Sequence, residues 1–360
     1  MSEIKNVYDQ LLNYHNKGLD AAIATVVAVK GSAYRRPGAR MVISEEGDIF
    51  GMIGGGCFDA NVKEIALQVL RTKQPELRLY DLSDDSVWGL GLGCNGSVYV
   101  LIEAISTDQG QQWMQQIAFH LTKQDCLLIE HHLDHPLDFK IKPGIVTFSR
   151  SFQQGNLGQT NKLVRQFDSS VFQEVLKPAP RLVIFGAGHD VIPLVDLADQ
   201  AGFQVCIVDQ REHLLNDNRF KRAVEFICAK AEDFSEKITA KSGDYVIFMS
   251  HKIEYDAAAF HFYHNKAVSY FGFLGPKKRS QQIMFDILNL NPAIIDPMIK
   301  KIHSPIGINI GSETAEQVAI SIVSELLAVK NNSNPQFLRD KLGRIHEENN
   351  NHLLNFATNM

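Results

Sequence analysis

The residues Gly54-Gly55-Gly56-Cys57 combine the most chemistry in the fewest positions of this sequence. Glycine lets a turn approach a ligand with its backbone N–H groups bare. Successive bare N–H groups make an anion nest, and a helix N-terminus adds the positive end of a dipole. The same field favours thiolate over thiol, and thiolate is the form that binds soft metals or attacks. Cys57 therefore reads as a soft ligand or transfer thiol beside an anion site, or else as a buried cysteine at a tight turn. Just upstream, Arg35, Arg36 and Arg40 flank Pro37 and Gly38. Arginine forks suit phosphate oxygens, while the plainer reading of such a cluster is a solvated basic loop.

A second glycine–cysteine element surrounds Cys94 in the loop Gly89–Gly96. It implies an unusual backbone or close approach to a ligand, or an ordinary long turn before a strand. Further along, Phe185-Gly186-Ala187-Gly188-His189-Asp190-Val191 follows a strand pattern and opens a helical one, the context of a Rossmann phosphate loop. Gly186 and Gly188 fit that pattern, and Val191 replaces its third glycine. Asp209 ends the next strand, 23 positions after Gly186, near the spacing for a carboxylate on a ribose hydroxyl. His251 and Asp256 follow another strand, where ligands gather in open parallel sheets. His251 could carry a proton or bind a ligand, or be a hydrogen-bonded loop histidine. Lys277-Lys278-Arg279 opens a helix and could meet phosphate or simply face water. His131, His132 and His135 lack the cysteine or carboxylate spacing that would complete a four-ligand metal site.

The elements that must position these groups follow from periodicity. Ile4, Val7, Leu11 and Tyr14 mark a helix over 4–16, and residues 21–30 read as a buried strand. Residues 39–53 form a hairpin turning at Glu45–Asp48. Val62, Ile65, Ala66, Val69 and Leu70 line one helical face, so the glycine run sits on a strand-to-helix turn with Cys57 near the helix start. Strands follow at 77–82 and 97–105. Residues 106–175 read as polar and irregular, with a helix at 109–122 and strands near 126–131 and 144–148. Lys177-Pro178-Ala179-Pro180 is a stiff linker. Beyond it, strands at 181–185, 203–208, 224–228, 245–249 and 268–271 alternate with helical patterns. That alternation implies a doubly wound parallel sheet. A last helix near 314–329 opens on the capping-box spacing Thr314-x-x-Gln317. The expected fold is thus α/β, with a mixed α/β domain over 1–176, a Rossmann-like domain over 181–330 and a polar, Asn-rich tail over 331–360.

Length and composition agree. The 360 residues suffice for two cores, and 45% hydrophobic with 21% charged residues is globular usage. A net charge of −5 gives no nucleic-acid footprint. No apolar run reaches membrane-spanning length and the N-terminus is no signal peptide. Five scattered cysteines without a C-x-x-C pair fit reduced thiols in a cytoplasm.

On these residues the chain resembles the XdhC/CoxI family of xanthine dehydrogenase accessory factors. The resemblance rests on Gly31-Ser32 through Ala39, Gly47, Gly54–Cys57 and Gly91-Leu92-Gly93-Cys94-Asn95-Gly96 in the first domain. In the second it rests on Gly186–His189, Val208–Arg211, Ser250-His251, Gly272 to Lys278 and His303–Gly311. Asn309 stands where the family usually has Asp, Phe58-Asp59 where it has Val-Glu, and Asn95 where a glycine is common. The resemblance implies an accessory protein more than a catalyst. Such a protein binds molybdenum cofactor (molybdopterin, also as a dinucleotide), protects it, helps sulfurate it and delivers it to a molybdenum hydroxylase. On that reading Arg35, Arg36, Arg40, the glycine run, Cys57 as molybdenum ligand, and Cys94 hold the cofactor. Gly186, Gly188, His189, Asp209 and His251 would hold its nucleotide, or NAD(P). The implied partners are the hydroxylase, a cysteine desulfurase or sulfurtransferase, and a second copy of the chain in a homodimer. Two alternatives stay open: an NAD(P)-dependent oxidoreductase, and a docking module that holds no cofactor stably.

Overall fold

The structure, a computed structural model, describes residues 3–31, 34–54, 56–81, 96–134, 143–149, 162–166, 169–290 and 298–341. Two compact units divide the chain, one formed by Glu3–Pro178 and the other by Ala179–Asp340.

The first unit opens with helix α1 (Glu3–Asn16), whose Ile4, Val7, Leu11 and Tyr14 are buried as their spacing requires. Strands β1 (Ala21–Gly31), β2 (Arg40–Ser44) and β3 (Ile49–Gly51) follow, then α2 (Gly56–Thr72), β4 (Glu76–Asp81) and β5 (Gly96–Ala104). These strands form an antiparallel sheet of order β3-β2-β1-β5-β4. One face carries Ala24, Val26, Met41, Ile43, Val100 and Ile102, and it packs against Phe58, Val62, Ala66 and Val69 of α2. Helix α3 (Asp108–Lys123) starts at Thr107, whose hydroxyl caps the N–H of Gly110.

Next come β6 (Leu127–Asp134), β7 (Pro143–Ser149), β8 (Lys162–Gln166) and β9 (Ser169–Leu176), in a second sheet of order β7-β6-β9-β8. Strands β8 and β9 lie in a stretch expected to be irregular. The other face of the first sheet, with Ile23 and Val42, joins α1, α3 and residues Leu127 and Ile129 of β6 in one apolar cluster.

The second unit is a parallel sheet built from β10 (Arg181–Phe185), β11 (Gln204–Asp209), β12 (Glu225–Cys228), β13 (Tyr245–Phe248), β14 (Tyr270–Phe273) and β15 (Ile302–His303). Its order is β12-β11-β10-β13-β14-β15. Helices α4 (Val191–Gln200), α5 (Ile253–Tyr263), α6 (Lys277–Leu290) and α7 (Ala315–Lys330) cover both faces. Leu194, Val195 and Ala198 of α4 and Ile322 and Leu326 of α7 pack on Leu182, Ile184 and Ile207. Ala259 and Phe260 of α5 and Ile283 of α6 pack on Val183, Phe185, Val246 and Phe248 of the opposite face. Each large side chain fully buried there contributes about 1.5–3 kcal/mol. This is the doubly wound architecture that the strand–helix alternation predicts.

Three details depart from the expectation. The strand read at 268–271 lies at Tyr270–Phe273, and the short β15 adds a sixth strand. The crossover from β11 to β12 carries a single 3-10 turn, Glu212–Leu214, in place of a helix. Asn216, Asp217 and Asn218 favour turns there. Helix α7 opens with the expected capping box: Thr314 accepts from the Gln317 N–H and Gln317 caps in return. Among the described residues no helix is long and apolar enough to cross a membrane.

Candidate functional site

The order of the second sheet reverses between β10 and β13, and ligands bind beyond the carboxyl ends of strands at such a point. Two chain segments flank that crevice: Gly186–Asp190 after β10 and Ser250–Lys252 after β13. Gly186 has φ +127°, and a Cβ there would lie 2.6 Å from the Met249 carbonyl oxygen. Only glycine lets the two segments pass this closely. Val191, in place of the third glycine, is fully buried and starts α4 within the core. Asp190 makes no side-chain cap on α4. Among the described residues, the N–H groups of Gly188, His189 and Asp190 have no intramolecular acceptor. Three successive bare donors at a helix start form an anion nest. His189 is exposed.

His251 sits across the crevice with φ +63°, a left-handed conformation uncommon for a non-glycine residue. Its Nε2 lies 3.0 Å from Asp190 Oδ2, and its side chain is 64% exposed. The two flanking segments therefore meet through a histidine–carboxylate pair that sequence reasoning misses, because Asp190 and His251 are 61 positions apart. Behind them, Asp256 is fully buried, accepts from the Ser250 N–H at 3.3 Å and pairs with Arg279. Burial pushes the Asp256 carboxyl up, opposed by Ser250 and Arg279. Arg279 is thus committed to the fold, while Lys277 and Lys278 remain exposed.

Asp209 departs from its expected role. Its carboxylate is 2% exposed, and every acceptor position is filled. Oδ1 accepts from the Arg211 backbone N–H (2.8 Å) and Nε (2.9 Å); Oδ2 accepts from the Ala187 N–H (2.8 Å) and Arg211 Nη2 (2.8 Å). Burial works against the charge, but the Arg211 bonds outweigh it and hold the carboxyl below its usual range. Asp209 therefore anchors the glycine loop at Ala187 and has no lone pair to offer a ribose.

In the first unit, Gly56 (φ +59°) begins α2 and is exposed, and Cys57 is the second residue of that helix. The Gly54 N–H already donates to Asp59 Oδ1 at 3.0 Å, so this donor of the turn is filled from within. Gly55 and Cys94, with the loop around Cys94, lie outside the described residues, as do His135 and the tail over 342–360. Arg36 is exposed, and Arg35 is bonded to the Glu3 carboxylate at 2.6 Å.

Arg40 requires a correction. Residue type groups it with the phosphate-binding arginines, but its guanidinium is 3% exposed and forms a two-pronged ion pair with Glu174, itself 1% exposed. Strand β2 is buried on both faces, so a side chain pointing away from Met41 still points into the core. Close to it, His131 of β6 faces Glu103 of β5 at 3.7 Å, and neither ring nitrogen of His131 has a hydrogen bond. Burial pushes Glu103 up to about 7, with Arg40 opposing. Burial, Arg40 and His132 push His131 down to about 3. His132 turns to the other side of the strand, 3.3 Å from the Thr147 hydroxyl.

Residues 182–326 match the model of the XdhC Rossmann domain, and residues 15–81 match that of the XdhC and CoxI family. The chain is similar to a probable xanthine dehydrogenase subunit of Bacillus subtilis (strain 168), 28% identical over 86% of this chain and 93% of that protein. A shorter stretch, 26% of this chain and 29% of the relative, is 30% identical to the molybdenum cofactor insertion chaperone PaoD of Escherichia coli (strain K12). The fold is similar to the crystal structure of a xanthine dehydrogenase from Bacillus halodurans, with a TM-score of 0.77 and 28% identity over 93% of this chain and 97% of that one. With both family models matched in order along it, and the doubly wound sheet where the second of them falls, the chain belongs to the XdhC and CoxI family.

Proposed function

We propose that this chain is an accessory protein of a xanthine dehydrogenase-type molybdenum hydroxylase. It binds the molybdenum cofactor as cargo, protects it, assists its sulfuration and delivers it to the hydroxylase. Family membership and the relatives named as a cofactor insertion chaperone and a dehydrogenase subunit support the accessory role.

The observation that carries the reading is the turn that opens α2. Gly56 is exposed in a left-handed conformation and Cys57 stands in the first helical turn, where the dipole favours thiolate. A thiolate there suits a soft metal, and Arg36 supplies an exposed cation on the same unit. Arg40 takes no part. In the second unit, the nest of Gly188, His189 and Asp190 would hold the phosphates of a nucleotide, either that of a dinucleotide cofactor or NAD(P). The protein would work in the cytoplasm as a homodimer, with a sulfurtransferase as second partner.

The test is molybdenum and pterin content after mixing purified protein with the cofactor and desalting. Retention near one equivalent, lost in Cys57→Ala with the fold intact, is the expected result. Retention unchanged in Cys57→Ala removes that thiol from the site. No retention by the native chain leaves a docking role.

One observation favours a second reading, an NAD(P)-dependent oxidoreductase. The His251–Asp190 pair places a proton carrier beside the nest. Turnover of a nicotinamide cofactor that vanishes in His251→Gln would support it.

A further inference from the structure

We propose that Arg211 reads the ribose end of the crevice in the second unit, and that the crevice selects a nucleotide whose ribose carries a phosphate, as NADP does. The proposal rests on the reading that this crevice takes a nucleotide at all.

In a sheet of this order, the group that ends the second strand faces the ribose of a dinucleotide whose phosphates lie on the first glycine turn. A free carboxylate there accepts from the ribose hydroxyls and repels a phosphate. A free guanidinium does the reverse. Asp209 holds the position of the carboxylate but offers none of its acceptor capacity, because Arg211 and the Ala187 N–H fill it. An unphosphorylated ribose finds no acceptor at Asp209.

Donors are present instead. Arg211 is 39% exposed and spends Nε and Nη2 on Asp209. Among the described residues its Nη1 has no partner. The carboxylate fixes the guanidinium plane, so that outward donor is held in place before any ligand arrives. A second arginine reinforces it. Arg219 Nη1 donates to the Ala187 carbonyl oxygen at 3.0 Å and to that of Leu214 at 2.8 Å. Ala187 is thereby clamped on both sides, through its N–H by Asp209 and through its C=O by Arg219. Asp209 cancels one of the two cations, while the loop's own carboxylate, Asp190, is turned to His251. Arg219, from the coil crossover between β11 and β12, is the arginine that reaches Ala187; Arg211 reaches Asp209.

The experiment is a fluorescence titration of the full-length protein with NADPH and with NADH, with 2′-AMP and 5′-AMP as competitors. The expected preference for NADPH is about 10- to 100-fold, the value of one charge-assisted contact to a phosphate. It should shrink as salt rises, and 2′-AMP should displace NADPH where 5′-AMP does not. Arg211→Gln should weaken NADPH binding and, by freeing acceptor positions on Asp209, strengthen NADH binding, so that the preference collapses or reverses; Arg211→Lys should restore part of it. Equal affinity of the native chain for NADPH and NADH overturns the proposal and leaves the crevice reading standing. Binding of neither overturns the crevice reading and the proposal with it. Because Arg211→Gln uncovers a buried carboxylate and can unfold the unit, the native chain and its competition series decide the matter without a variant.

Discussion

Replacing Glu103 or His131 should tilt the pH dependence of stability in opposite directions. His131 is buried at 3% exposure and Glu103 mostly so at 15%, and desolvation opposes charge on both. Between about pH 4.5 and 6.5 folded Glu103 keeps a proton that the unfolded chain has lost, because its carboxyl is pushed up to about 7. That makes stability fall as pH rises. Over the same window folded His131, pushed down to about 3, lacks a proton that the unfolded chain holds. That makes stability rise with pH. Each contributes a slope of about 1.4 kcal/mol per pH unit, and in the native chain the two cancel.

Glu103→Gln removes the falling slope. Relative to the native chain, this variant should gain about 2 kcal/mol on going from pH 4.5 to 6.5, the slope being partial at both ends of the window. His131→Gln should lose the same amount. Urea unfolding at three pH values, followed by tryptophan fluorescence, isolates the right transition, since Trp88 and Trp113 both fall within the sequence of the first unit. Comparing variants cancels the titration of groups remote from the pair. Parallel profiles for all three proteins would refute the pairing of a neutral acid with a neutral base.

Other outcomes follow from the same geometry. Arg40→Ala or Glu174→Ala should each cost about 3–5 kcal/mol, since each strands a buried charge, whereas Arg40→Met with Glu174→Leu should cost far less. The double variant should also retain molybdenum cofactor as well as the native chain, which cofactor content after desalting would check. Gly186→Ala must place a Cβ 2.6 Å from the Met249 oxygen at φ +127°. It should lower the melting temperature of the second unit and abolish nucleotide binding, and a normal melting temperature would contradict the close approach. Thr314→Ala should cost about 1 kcal/mol by removing the cap of α7, readable by the urea midpoint of the second unit.

Much of the fold is legible in the sequence because the apolar pattern is strong where elements are buried on both sides. Strand β10 is apolar after Arg181 and buried at all five positions, and the glycine loop follows it at once. Strand β9 escapes notice for the opposite reason. Its buried face alternates Phe172 with Glu174, so an ionised residue stands where an apolar one would have marked the strand. Its partner Arg40 lies 134 positions away, beyond the reach of any local pattern. The same pair misleads the reading of the arginine cluster, since residue type suggests phosphate and only the burial of β2 reveals the carboxylate. Asp209 fails similarly: its place at the end of β11 is as expected, but Arg211, two positions on, competes for its oxygens, and no spacing rule announces that competition.

The two edges of the parallel sheet are short, four residues in β12 and two in β15. A sheet edge is a template onto which another chain can add its own strand, and long edges invite uncontrolled growth. Here such growth would gain few ladder bonds on either side. Truncated edges of this kind leave a neighbouring chain little ladder to extend, and so keep this unit from polymerising through its sheet.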